Sequence, residues 1–273
     1  FAMLEALKAR HPNLKVIVTM FNDRVEYFEQ STKYEQYIDV FVSDNQKVTD
    51  HYGELLSDSK PTRVIPNGIN CYDEFNPRLF DREARRKELG IADNDLAVFF
   101  VGRLSPEKNP DVFLHAAATV LEKGTKHIEF FVIGDGPMRP EIDALLNKIN
   151  SKHIHYLGYQ VKVAQFLSAA DVFVLPSAIE GFPLSILEAM AMQAVVVASD
   201  VGAVAQVVES GRSGFVVTPG SADEIVASVM HLIKDKTLMQ TMKQAARQEV
   251  EEKYSNLKLG ENYKRLYRET LAL

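Results

Sequence analysis

Three short segments of the chain place charged side chains beside glycine or proline in patterns that suit a phosphate-bearing ligand. In Gly102-Arg103-Leu104-Ser105-Pro106-Glu107-Lys108-Asn109, an apolar run ends at Gly102 and a helical pattern begins at Pro110. Gly102 allows a tight exit from a sheet, and Arg103 and Lys108 then flank a helix start. Two cations beside the positive end of a helix make a diphosphate site. A solvated loop with two surface charges is the plainer reading of the same residues. In Glu180-Gly181-Phe182-Pro183-Leu184-Ser185-Ile186-Leu187-Glu188, Glu180 precedes a helix and Glu188 lies inside it. The two carboxylates can then address different parts of one extended ligand. Free N–H groups near Leu184 and Ser185 can take a phosphate between them; a capping acid and an exposed helical acid are the alternative. Gly134-Asp135-Gly136-Pro137 starts like a dinucleotide fingerprint, but Arg139 stands where the third glycine belongs. Asp135 reads as part of a tight turn, whereas Gly134 can let a ligand approach the backbone.

Other candidate groups read as structural. His153 and His155 alternate along a strand pattern and share one face, yet no carboxylate or cysteine motif accompanies them. Tyr263 and Tyr267 fall at helical spacing with Leu259, Leu266 and Leu271, as a packing stripe does. Cys71 is the only cysteine, which excludes an intrachain disulfide and a cysteine zinc site and points to a cytoplasmic setting. A net charge of −6 argues against a general affinity for nucleic acid or anionic membrane. Hydrophobic residues at 46% and charged ones at 25% are ordinary for a globular protein. No apolar run reaches the length of a membrane span.

These segments need elements to hold them. Short apolar runs at 16–18, 37–42, 63–65, 96–101, 128–133, 154–157, 172–175, 195–198 and 215–217 read as strands. Helical patterns fall between them at 1–10, 46–56, 110–123, 139–149, 163–169, 183–192 and 204–209, and then at 222–234, 238–251 and 257–271. Asn109 is the expected cap of the helix that Pro110 opens. Residues 70–95 read as a loop rich in Asp, Asn and Pro. Strand–helix alternation implies an α/β fold with parallel sheets, in which ligands sit at the carboxyl ends of strands. Residues 70–252 are expected to form one complete doubly wound, Rossmann-like domain. Residues 1–69 show too few strands for another and read as a partial one. Phe1, Leu4 and Leu7 form one face of a helix already under way, so a chain cut from a larger protein is expected.

At this point the sequence resembles the retaining glycosyltransferase family four, which has the two-domain GT-B fold. The resemblance runs from about residue 16 to the C-terminus. Its carriers in order are Ile65-Pro66-Asn67-Gly68-Ile69, Val101-Gly102-Arg103-Leu104 with Lys108, Ile133-Gly134-Asp135-Gly136-Pro137, Leu157-Gly158-Tyr159 and Ala170-Asp171-Val172-Phe173-Val174-Leu175-Pro176-Ser177. The glutamates Glu180 and Glu188 and Gly211-Arg212-Ser213-Gly214-Phe215 complete the series. Any one match is modest; all of them in this order are highly specific.

The resemblance implies a hexosyltransferase that moves a sugar from a nucleotide-diphosphate donor, UDP-linked by family frequency, to a hydroxyl acceptor with retained configuration. Arg103, Lys108 and Glu180 would be the catalytic residues: the cations hold the diphosphate as the glycosyl bond breaks, and Glu180 contacts the sugar. Gly102, Gly134, Gly181, Phe182, Pro183, Leu184 and Ser185 would line the donor site, with Glu188 on the ribose and Tyr159, Gln160 and Val161 near the base. No metal or other cofactor is implied. The acceptor would be a glycan, lipid or small molecule, with no nucleic-acid partner and with peripheral membrane contact through the N-terminal part. Residues 253–273 would form a helix packing back on the N-terminal remnant. Two departures stand out. The family's histidine after the first strand is replaced here by Phe21 or Asn22, and Gly202-Ala203-Val204-Ala205-Gln206 lacks the usual second glycine and acid. The rival readings are a non-catalytic nucleotide-sugar-binding module, a nucleotide-sugar epimerase, and a purely structural interaction module.

Overall fold

The computed structural model describes residues 3–21, 29, 31–56 and 60–272. Asn22 lies outside the described residues. The chain divides into two compact units, one of Phe1–Gly68 with Asn256–Leu273 and the other of Ile69–Ser255.

The larger unit is built on a six-stranded parallel sheet. Its strands are β4 (Leu96–Val101), β5 (Ile128–Ile133), β6 (Ile154–Gly158), β7 (Val172–Leu175), β8 (Val195–Ser199) and β9 (Gly214–Val217). They lie in the order β6-β5-β4-β7-β8-β9, with every pair parallel. Helices cover both faces, so the central strands are apolar on both sides. Phe99, Phe131 and Phe173 point into one core; Phe100, Phe130, Val132 and Val174 point into the other. Phe99 and Phe131 stack at 4.6 Å between centroids. Each buried aromatic contributes about 1.5–3 kcal/mol of burial free energy, so these two strands anchor the sheet.

The helices of this unit are α3 (Arg82–Glu88), α4 (Pro110–Glu122), α5 (Arg139–Ile149), α6 (Val163–Leu167), α7 (Leu184–Ala191), α8 (Val204–Val207), α9 (Ala222–Lys234) and α10 (Lys236–Lys253). The helix α3 corrects the loop expected over 70–95. Its sequence, Arg-Glu-Ala-Arg-Arg-Lys-Glu, has no apolar stripe to announce it. It is held by arginines instead. Arg82 and Arg86 reach Asp171 at 2.6 and 2.9 Å and also take the carbonyls of Ser168, Ala169 and Ala170, where the chain leaves α6. Lys243 from α10 meets the same carboxylate at 2.5 Å. This cluster closes the amino end of the strands.

The smaller unit holds β1 (Ile17–Met20), β2 (Val40–Ser43) and β3 (Thr62–Val64), parallel and in that order, with α1 (Leu4–Arg10), α2 (Gln46–Leu55) and α11 (Asn256–Leu271). The strand expected at 37–42 starts later, because Glu35–Tyr37 forms a turn of 3-10 helix. The helix α11 packs Leu266, Leu259 and Tyr263 on Val40, Val42 and Ile65. The expected stripe is corrected in part: Tyr267 and Leu271 are exposed, and Thr270 is buried. Leu259, Tyr263, Leu266 and Thr270 share the helix face that meets the strands, and Tyr267 and Leu271 fall outside it. Among the described residues no helix is long and apolar enough to cross a membrane.

Candidate functional site

In the strand order, β4 is flanked by β5 on one side and β7 on the other, so the direction of winding reverses between β4 and β7. A parallel sheet opens a crevice at the carboxyl ends of the strands where this happens. The loops that leave β4 and β7 there carry the cations and the acid singled out above.

The two loops are locked together. After β4, Asn109 adopts a left-handed conformation with φ 47°, and its side chain caps no helix N–H. Asn109 thus holds the N-cap position expected of it, and its carbonyl accepts from the Val112 N–H at 3.1 Å, but the expected side-chain cap is absent. Its amide instead donates to the Pro176 carbonyl at 3.0 Å. The Ala178 N–H donates to the Glu107 carbonyl at 2.8 Å. With the backbones tied on both sides, the Lys108 ammonium meets Glu180 Oε1 at 2.6 Å. Ser177, fully buried, donates its hydroxyl to that same oxygen at 2.6 Å. Residues 72 positions apart therefore form one charged contact at the entrance to α7. Arg103 is exposed and makes no hydrogen bond or ion pair among the described residues, so its guanidinium is free for a ligand.

Glycines permit the neighbouring loops to close in. A Cβ at Gly134, where φ is 142°, would lie 1.8 Å from the Gly102 carbonyl oxygen. The need for glycine there is met by loop-on-loop contact, not by a ligand alone. At Gly202, with φ 56°, a Cβ would lie 2.2 Å from the Glu180 carbonyl oxygen. The Ala203 N–H donates to the Gly181 carbonyl at 3.0 Å, so the departing segment 202–206 supports the Glu180 loop from behind.

The helix α7 begins after the buried Pro183 with no side-chain cap. Its first N–H groups, at the partly exposed Leu184 and Ser185, are left without an intrahelical partner, as helix starts are. Phe182 packs on the core and tilts against Tyr254 at 6.0 Å. Further along, Glu188 lies in a cavity of about 650 Å³ with Val161, Lys162, Gln165, Asp73 and Glu74. Its carboxylate has no hydrogen bond or ion pair among the described residues. Burial, with the charge of Glu74 adding to it, pushes its pKa up to about 7. Tyr159 and Val161 are strongly exposed, and Gln160 donates to the Leu157 carbonyl at 2.7 Å.

The structure thus brings Lys108 to Glu180 in the loop before α7, and Val161 to the cavity of Glu188 on α7 itself. Sequence reasoning missed the positions of Ser177 and Glu74. Ser177 stood in a recognised run without a role; Glu74 lay in the acidic loop with no motif around it. The histidine pair gains a partner unseen in the sequence: Glu129 from β5 accepts from His153 Nδ1 at 2.8 Å and His155 Nε2 at 2.7 Å. Among the described residues no group of three or more His, Cys, Asp or Glu is arranged to hold a metal ion. A larger cavity, about 1290 Å³, lies at the amino end around Arg82, Arg86 and Asp171.

Comparison with known proteins bears on this geometry. The family model described as glycosyl transferases group 1 matches residues 81–249, more than half of the chain. The chain is similar to the UDP-Gal:alpha-D-GlcNAc-diphosphoundecaprenol alpha-1,3-galactosyltransferase of Escherichia coli, 30% identical over 78% of this chain and 56% of that protein. It is also similar to the alpha-D-kanosaminyltransferase of Streptomyces kanamyceticus, 33% identical over 69% of this chain and 50% of that one. The chain spans about half the length of these relatives. Among solved structures, Anabaena Alr3699/HepE in complex with UDP superposes with a TM-score of 0.86 at 20% identity, covering 98% of this chain and 76% of that one. That likeness establishes the GT-B fold.

Proposed function

Since the chain belongs to the glycosyl transferases group 1 family, we propose that the crevice between β4 and β7 is the donor site of a retaining hexosyltransferase. The observation that carries this reading is the meeting of Lys108 and Glu180 at the uncapped start of α7. In it the donor's diphosphate lies between Arg103, Lys108 and the N–H groups of Leu184 and Ser185. Glu180 receives a hydroxyl of the sugar, and Glu188 receives the ribose hydroxyls in the adjoining cavity. Gly102, Gly134, Gly181, Phe182 and Pro183 shape the junction, with the base near Tyr159, Gln160 and Val161.

The chemistry follows from charge. The bond between the anomeric carbon and the phosphate oxygen breaks, and negative charge grows on the leaving diphosphate. Two cations and a helix start, fixed before reaction, stabilise that charge and lower the barrier. In this reading they carry out what a metal ion does elsewhere. The acceptor oxygen then bonds to the anomeric carbon on the face the phosphate leaves, and its O–H bond breaks as the proton passes to the departing phosphate oxygen. UDP is the expected nucleotide, because the Anabaena neighbour binds UDP and the Escherichia coli relative is named for UDP-Gal. The acceptor is a hydroxyl of a glycan, a lipid-linked sugar or a small molecule, and the chain works in the cytoplasm.

A thermal-shift panel of UDP, GDP and ADP tests the proposal, because preferential binding raises the melting temperature. One nucleotide is expected to stabilise the chain well above the others. No shift with any of the three would overturn the donor-site reading.

A further inference from the structure

The contact between Lys108 and Glu180 has the form of a competition. Resting on the donor-site reading above, we infer that this ion pair gates the diphosphate subsite: it is closed in the free protein and opens when a donor phosphate takes Lys108. The geometry also assigns Ser177 as the positioning residue that keeps Glu180 in place once the gate is open.

One oxygen of Glu180 receives both Lys108 Nζ and Ser177 Oγ, each at 2.6 Å. The partners are not equally fixed. The Glu180 side chain is 6% exposed and that of Lys108 is 28% exposed. Lysine carries its charge on a flexible stem with rotatable donors, so it is the member that can move. An incoming diphosphate offers more negative charge than one carboxylate and draws the ammonium away. Glu180 is then a buried charge that has lost its cation, which is strongly unfavourable unless another donor remains. Ser177 is that donor. Its position does not depend on the lysine side chain, because the flanking Pro176 and Ala178 are bound to the Asn109 amide and the Glu107 carbonyl. The carboxylate therefore stays aimed while its free lone pairs become available to a sugar hydroxyl. A gated site also binds free nucleotide more weakly than an open one, by the fraction of time it stands open.

The test is calorimetric titration of the chain with UDP, GDP, ADP and inorganic pyrophosphate. Wild type is compared with Glu180→Gln, Lys108→Ala and the double variant, with circular dichroism confirming folding. The gate predicts that Glu180→Gln binds the preferred nucleoside diphosphate at least about five-fold more tightly than wild type. It predicts that this gain disappears when Lys108 is absent. Glu180→Ala replaces the glutamine variant if the latter does not fold. Equal or weaker binding by the Glu180 variants overturns the gate. So does an equal gain with and without Lys108, which would reflect only the removal of a nearby negative charge. Ser177→Ala is expected to keep its affinity for the diphosphate but lose preference for whichever of UDP-glucose, UDP-galactose and UDP-N-acetylglucosamine wild type binds best. Ser177→Thr should restore that preference. An unchanged preference in Ser177→Ala removes its positioning role. Absence of binding by wild type and all variants to every probe contradicts the donor-site reading itself, an outcome distinct from a gate that fails.

Discussion

The two ends of the larger sheet each hold a charged cluster, and they are built on opposite terms. At the amino end, Asp171 is surrounded by Arg82, Arg86 and Lys243, and the arginines spend their remaining donors on backbone carbonyls. Burial alone would push the Asp171 carboxyl up, but the charges of Lys243 and Arg82 outweigh it and hold it below its ordinary value. At the carboxyl end, the Glu188 carboxylate has no hydrogen bond or ion pair among the described residues, and burial raises its pKa to about 7. Arg103 is exposed and, among the described residues, makes no hydrogen bond or ion pair, though its charge adds to the Ser105 hydrogen bond that holds the Glu107 carboxyl below its ordinary value; the start of α7 has no side-chain cap. The larger cavity lies beside the first cluster, and we place the chemistry at the second. A charge satisfied from within the fold holds elements together. A buried charge left unsatisfied is a cost to stability, retained where a ligand completes it.

That contrast is open to breakage. The largest effect is expected at the amino end. Asp171→Asn leaves three cations without their carboxylate, and denaturant unfolding should show a loss of about 3–5 kcal/mol. Any weakening of nucleotide binding should follow the loss of folded protein and nothing more. A marked loss of binding in a variant that stays folded would move the site to that end.

At the carboxyl end the sign reverses. Because the folded-state pKa of Glu188 is raised, the folded protein holds a proton there that the unfolded chain gives up near the ordinary carboxylate value. Wild type therefore loses stability at this group as pH climbs from about 4.5 to about 7. Glu188→Gln removes the titration and should be more stable than wild type by about 1–3 kcal/mol at pH 8, with little difference at pH 4. The same variant should bind both nucleotide and nucleotide sugar more weakly. A glutamine variant less stable than wild type at pH 8 would remove the claim that this carboxylate is unsatisfied.

Smaller changes sharpen the comparison. Arg103→Ala should weaken diphosphate binding by about 1–3 kcal/mol, the scale of a charge-assisted hydrogen bond, and leave the melting temperature nearly untouched. The smallest effect belongs to His155→Gln on the sheet edge. Losing one contact to Glu129 should lower stability by about 1 kcal/mol with no change in nucleotide affinity. A nucleotide-binding defect there would give the histidine pair a role that the geometry does not.

Legibility in the sequence followed the same division. The strands were readable because buried parallel strands are continuous apolar runs, as in Leu96–Val101 and Ile128–Ile133. Lys108 and Glu180 stood out because they lie within two residues of glycine or proline at a strand exit or ahead of a helix start, whereas Glu188, inside the helix, stood out only by its spacing from Glu180. The helix α3 was not, since its arginines act on carbonyls and a carboxylate more than 80 residues away. Nor was the partner of the Asn109 side chain: the residue stands at the helix start as expected, but its amide reaches Pro176 across the switch point. Ser177 and Glu74 were hidden for one reason: an ordinary serine or glutamate gains meaning only from what tertiary packing sets beside it.

The central claim is that donors bind at the carboxyl end of the sheet, between β4 and β7. Hydrogen exchange of the backbone with and without UDP reads both ends in one experiment. The account predicts slowed exchange across 102–109 and 177–188, with 82–88 and 236–243 unchanged. Protection confined to 82–88 and 236–243, with none at the exits of β4 and β7, would contradict it.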